Sequence, residues 1–271
     1  MWLLGLLTIA DDHGEEALVA QFTRRKSLTE EVEHGIVRFD DQEGVFKKIA
    51  TLDRKDKWRC PRGNAIRVSH ADGEYFYFAA PFCHARVKAS WAAVLDPSRY
   101  EALAINESGQ YVWRREAGGP TTQADEKKLL RDGKLKADEA RYALRDALSG
   151  KPVAIHGASI AWNEFRKKWL LIGVQRGDKD APSLLGEVWY AEADAIDGPW
   201  RKAIKVATHP NYSFYNPRHH AFFDENGGRT IYFEGTYTHT FSGNPIPTPR
   251  YDYNQMMYRL DLDDERLKAV R

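Results

Sequence analysis

Three glutamates and two histidines stand where turns meet strand-like runs: Glu33, Glu187, Glu234, His156 and His219. Carboxylates that share a site can divide acid and base roles, one giving a proton to a leaving group and the other taking one from water. An imidazole can take over the base role. Beside these groups lie side chains suited to holding a polar ligand. They are Arg62 and Asn64 in Pro61-Arg62-Gly63-Asn64, Ser159 in His156-Gly157-Ala158-Ser159, and Asn216 and Arg218 in Asn216-Pro217-Arg218-His219. Each of these segments contains Gly or Pro, which lets the backbone approach a ligand closely. Arg250 and Tyr251 belong to the stretch His239 to Tyr253, which holds three prolines and is long for a hairpin connection. A long ordered loop of that kind suits a binding lid. The competing reading makes each glutamate a solvated rim residue or half of an ion pair with Arg62 or Arg218. For any single glutamate that reading is the better one, while the recurrence of polar groups in the Gly- or Pro-containing segments favours a site there.

Those places are equivalent because the chain repeats. Leu7 to Phe22, Ile66 to Pro81, Ile160 to Gln175 and Ala221 to Thr236 each read as a strand, a polar turn and a second strand. In the last of them Asn226-Gly227 suits a type I′ turn, whose two central residues need positive φ. A second hairpin follows each copy, with strands Gly35–Phe39 and Val45–Ile49, Ala85–Val94 and Tyr100–Ala104, Glu187–Ala193 and Trp200–Val206, and Gln255–Leu262 and Leu267–Val270. Glu33 and Glu187 open third strands, and Glu234 ends a second strand, so all three should face one end. The interval between the second and third copies is longer than the others. Thr121 to Leu148, rich in Ala, Glu, Lys, Leu and Arg, accounts for the surplus as a helical pair broken near Gly133.

Two hairpins repeated four times predict an all-β fold, a β-propeller of four-stranded antiparallel blades with a small helical insertion near residues 121–148. The expectation is one domain over residues 1–271, with blades at about 2–52, 61–105, 152–207 and 215–271. A sandwich of short strands is the competing architecture. Inner strands of a propeller surround a central funnel, which would gather the groups named above.

Composition narrows the partners. Forty basic residues against 39 acidic ones give a net charge of +1, which supplies no global attraction to nucleic acid or anionic membranes. The apolar run Met1 to Ala10 lacks a positive flank and a small-residue cleavage site, and is too short to span a bilayer; it reads as a strand. Cys60 and Cys83 match no zinc spacing; they read as two semi-buried thiols, with a single disulfide as the alternative. Nucleotide-binding, serine-hydrolase and zinc-protease motifs are absent.

The run Gly186-Glu187-Val188-Trp189-Tyr190-Ala191-Glu192-Ala193, the turn Asp197-Gly198-Pro199-Trp200 and the Asn216-Pro217 opening resemble five-bladed β-propellers of the glycoside hydrolase family 43 type. With four blades visible, the resemblance favours an N-terminally incomplete five-bladed protein over a four-bladed variant. It implies a glycosidase acting on a plant or algal polysaccharide, a secreted or extracytoplasmic setting, no required cofactor, and room for a structural Ca2+ in the central channel. Glycan or protein binding without catalysis is the alternative. The family uses an aspartate base, an aspartate that tunes pKa and a glutamate acid; Glu187 matches the acid by its position in the blade. The inner-strand starts offer Arg62, His156 and His219 where aspartates are expected. The base then lies on a blade outside this chain, or falls to an imidazole, or hydrolysis is lost. Trp91, Trp113, Trp162, Trp189, Tyr215, Tyr237, Tyr251 and Tyr253 are of the type that stacks on the C–H faces of sugars, although blade packing explains most of them. The basic groups Arg62, Arg218, Arg250, His156 and His219 imply an acidic saccharide, a uronate or a sulfated sugar.

Overall fold

A computed structural model describes residues 1–116, 118–177, 184–209 and 211–271. The fold class is all-β, of the β-propeller type, built from four sheets whose long strands pair antiparallel with their chain neighbours. Residues Met1–Thr122 and Gln123–Arg271 form two compact units.

In the first unit, β1 (Trp2–Ala10), β2 (Glu16–Arg25), β3 (Glu31–Asp40) and β4 (Val45–Thr51) form one sheet in chain order. A second sheet follows from β5 (Asn64–His70), β6 (Gly73–Ala79), β7 (Cys83–Lys88), β8 (Glu101–Ile105) and β9 (Tyr111–Arg114). The aromatic run Tyr75 to Phe78 in β6 is buried throughout, as expected of a strand covered on both faces. Leu7, Ile9, Val19, Ile36, Phe76, Phe78, Val87 and Tyr100 make the core between the two sheets. Each such side chain contributes ~1.5–3 kcal/mol of burial free energy. Gly63 takes φ +92, and a Cβ there would lie 1.7 Å from the Ala79 carbonyl oxygen, so only glycine fits at the start of β5. The third strand expected over Ala85–Val94 starts and stops earlier. Its C-terminal part is a short helix, α1 (Trp91–Val94), with the Ala93 and Val94 amides donating to Ser90 O. Cys60 and Cys83 are both free and buried.

In the second unit, α2 (Gln123–Arg131) opens the inserted segment, and β10 (Arg145–Asp146) closes it. Gly133, at φ +67, ends the helix, with Lys134 N donating to Leu129 O. The second helix of the expected pair does not form. The buried Glu126 carboxylate accepts from the Arg141 and Tyr142 amides at 2.6 and 2.7 Å, so those donors are turned away from a helical ladder. One sheet then runs β10-β14-β13-β12-β11, from β11 (Ile155–Asn163), β12 (Lys168–Gln175), β13 (Glu187–Ala193) and β14 (Lys202–Thr208). The other is β15 (Ser213–His219), β16 (Thr230–Thr238) and β17 (Asn254–Asp261). Leu170, Ile172, Val174, Tyr190, Ile204, Phe214, Ile231, Phe233, Leu267 and Val270 fill the core between them.

The last repeat departs most from the expected pattern. Its first strand is Ser213–His219, and Ala221–Phe223, expected as that strand, is a 3-10 turn. The Asn226-Gly227 turn does carry φ values of +53 and +66. Leu267–Val270, expected as a fourth strand, is also 3-10 helical. Asp264 caps it through the Arg266 amide, and Leu267 and Val270, three apart, point together into the core. Among the described residues no helix is long and apolar enough to cross a membrane.

Candidate functional site

In the first unit the carboxylate that matters is Glu31, two residues before the expected Glu33. A register shift between Arg24 and Arg25 sets Glu31 opposite Arg25 and Glu33 opposite Arg24. The Glu31 side chain is 4% exposed, and its Oε2 accepts from Arg25 Nη2 at 2.5 Å and from Arg62 Nη2 at 2.8 Å. His34 Nδ1 lies 3.0 Å from Oε1, and His34 Nε2 is 2.9 Å from the Asp53 carbonyl. Burial works against the Glu31 anion, but Arg62, Lys57, Arg25 and His34 outweigh it and hold its pKa below the ordinary carboxylate range. A carboxyl held ionised in this way orients neighbours and is a poor proton donor. Beside it, burial pushes the Cys60 thiol up to about 12, which leaves it inert.

Glu33 is spent on the face of the sheet. Lys48 Nζ donates to its Oε1 at 2.9 Å and Arg24 Nε to its Oε2 at 3.1 Å. Hydrogen bonding by Lys48 is the main cause that lowers its pKa. Asn64 is half-buried as the first residue of β5, paired with Ala79.

In the second unit Glu187 opens β13 and is buried. Lys205 Nζ meets its Oε1 at 2.7 Å. The Trp189 indole N–H, 3.2 Å from Oε2, is shared with Gln175 Oε1 at 3.0 Å. Trp189 and Lys205 are cross-strand partners, which sets both on the face that carries Glu187. Gln175 ends β12 and pairs with Ile155, so His156 on β11 shares this end of the sheet. His156 is exposed at a bulge; partial covering of its ring and nearby Arg176 lower its pKa, so the imidazole is neutral at neutral pH and can accept a proton.

Ser159, His219 and Asp224 have the residue types of a nucleophilic triad without its geometry. Ser159 Oγ accepts from the main-chain N–H of His219 at 3.1 Å, and His219 Nε2 lies 2.8 Å from Asp224 Oδ1. The ring's Nδ1 is buried with no hydrogen-bond partner among the described residues and does not reach the hydroxyl. Glu234 does not end its strand, as the sequence suggested. β16 runs four residues further to Thr238, about 13 Å at strand rise, because Gly235-Thr236-Tyr237 continues the ladder with β17 and Thr238 pairs with Ser213 of β15. Glu234 therefore pairs with Arg218 in register and meets His220 Nε2 at 3.2 Å, away from the end of the sheet that its strand was expected to reach. Asn216, at φ +50, sits in a bulge between Tyr215 and Arg218. Arg218 and Arg250 are exposed, and neither guanidinium has a hydrogen-bond or ion-pair partner among the described residues. Tyr251 is exposed as well.

The loop from His239 to Tyr253 is fastened by Asp252. Its carboxylate accepts from Thr238 Oγ1 at 2.7 Å, the His239 amide at 3.1 Å and Thr240 Oγ1 at 3.3 Å, with His239 Nδ1 at 2.7 Å. Hydrogen bonding by His239 leads the causes that lower the Asp252 pKa to about 2. A depressed folded value stabilises the loop above the free carboxyl's titration near 3.8 and loses that contribution as pH falls through about 2. Asp252→Asn is therefore expected to make the loop protease-sensitive at neutral pH, as only strong acid does in the wild type. Equal cleavage rates for the two proteins at pH 7 would contradict this.

No group of three or more His, Cys, Asp or Glu side chains among the described residues is arranged to hold a metal ion.

No protein-family model matches the chain, and no curated protein sequence does. Among solved structures it is similar to the α-L-arabinofuranosidase of Fusarium graminearum with an iminosugar inhibitor, at 13% identity and TM-score 0.41, over 98% of this chain and 64% of that one. A family 43 glycoside hydrolase of Bacillus licheniformis is 12% identical with TM-score 0.43, over 96% and 56% of the two chains. The GH43_1 enzyme of Xanthomonas citri with xylotriose is 10% identical with TM-score 0.36, over 98% and 89%. The chain thus spans about two-thirds or less of the first two. Similarity at this level carries no residue role from those proteins to this one.

Proposed function

We propose that this chain is a carbohydrate-active protein of the five-bladed propeller type, a glycoside hydrolase whose acid is Glu187. The observation that supports this reading is the Glu187 carboxylate itself, buried at the start of β13 with one oxygen held by the Trp189 indole and the other met by a half-exposed lysine. Lys205 can swing into water and leave Oε1 to a glycosidic oxygen. His156, neutral at the same end of the sheet, is the candidate base. Water then attacks the anomeric carbon as His156 takes its proton, and Glu187 protonates the departing oxygen as the C–O bond breaks. The unpaired guanidiniums of Arg218 and Arg250 favour an acidic saccharide among the possible substrates.

A second reading, glycan binding without hydrolysis, is favoured by the fact that both oxygens of Glu187 are already engaged. The purified protein, incubated with arabinan, xylan, pectic and sulfated algal polysaccharides, separates the two. Released sugar supports hydrolysis. Binding without release assigns the second reading. Neither binding nor release overturns both.

A further inference from the structure

We propose that Tyr215, Phe241 and Tyr253 form a preformed stacking site for a saccharide ring, held open by the loop of residues 239–253; this rests on the carbohydrate reading above. The Tyr215 ring centroid lies 5.8 Å from that of Phe241 and 6.4 Å from that of Tyr253. Interplanar angles of 45° and 75° make the three rings the walls of a corner. Phe241 is 41% exposed and Tyr253 51%, so neither ring is there to fill a core.

The backbone points the same way. Six non-glycine residues among those described have φ in the left-handed region, and three of them, Phe241, Arg250 and Tyr253, belong to this loop. A fourth, Asn216, directly follows Tyr215. Bulky side chains are disfavoured there because Cβ crowds the following carbonyl, and such strain persists only where the surroundings fix it. Here they do. Besides the Asp252 network, Asn254 Nδ2 donates to Thr248 Oγ1 at 3.1 Å and to the Tyr251 carbonyl, and Thr248 Oγ1 donates to that carbonyl too. Gly243 takes φ +75 in the same loop, the unstrained solution for such a position. At residues 241 and 253 the chain carries aromatic rings instead. A saccharide presents a face of C–H groups that packs on an aromatic ring, and a fixed platform spares the ordering cost of building one on binding.

The strain supplies a clean test. Phe241→Gly and Tyr253→Gly remove a ring while relaxing the backbone, so folding should be kept. Titration calorimetry of arabinohexaose, xylohexaose and an oligogalacturonate should show the ligand that the wild type binds best losing roughly 10-fold in affinity with each glycine variant. Tyr253→Trp should retain binding. Unchanged affinity in both glycine variants would overturn the stacking site and leave the carbohydrate reading standing. A wild type that binds none of the three, and no polysaccharide of the panel above, overturns that reading and this site with it.

Discussion

Glu31→Ala is expected to cost about 3 kcal/mol of stability, the lower end of the range for breaking a buried ion pair. The variant leaves Arg25, only 12% exposed, with an uncompensated charge at the end of β2. Arg62 suffers less, since about half of its side chain stays in water. The loss should be seen as a lower urea midpoint for the first unit, followed by Trp58 or Trp91 fluorescence. Glu31→Gln keeps the shape and should cost less. Acid should reproduce the effect, with a definite sign. The folded pKa of Glu31 lies below its ordinary value, so the carboxylate's contribution is complete above about pH 4.5 and declines as pH falls below that. The wild type should lose midpoint between pH 6 and pH 3 by more than Glu31→Gln does. Equal acid sensitivity in the two would mean that Glu31 is not the carboxylate that matters in this unit.

Glu187→Gln is expected to reduce turnover on whichever polysaccharide the wild type cleaves by roughly 10²–10⁴-fold, the usual worth of a positioned acid. Saccharide affinity should stay within about 2-fold. The amide keeps an acceptor for the Trp189 indole and the volume of the side chain, so the end of β13 should not collapse. It cannot give up a proton as a carboxyl does. A parallel loss of affinity and turnover would make Glu187 a binding residue instead. Full turnover in the variant would remove it from the chemistry.

Much of this protein is written locally. Alternating and fully apolar runs specify β1 to β4 and β11 to β14 in their order, since side-chain period and strand pairing between chain neighbours need no distant partner. Asn226-Gly227 and Gly133 likewise do as their backbone preferences dictate. Glu187 falls at the start of its strand for the same reason.

What the sequence alone could not decide depends on contacts between distant residues. Glu31 and Glu33 look equivalent, two apart on one strand. A bulge opposite them and the arrival of Arg62 from the segment just before β5 bury the first and leave the second in surface ion pairs. Residues 134–144 have a helix's composition, but Glu126 takes two of their amides. Leu267–Val270 could be strand or helix by type, and the core between two sheets selects the spacing of three. The rings of Phe241 and Tyr253 are brought to Tyr215 by backbone conformations that their own side chains disfavour, and only the closed network around Asp252 holds them there.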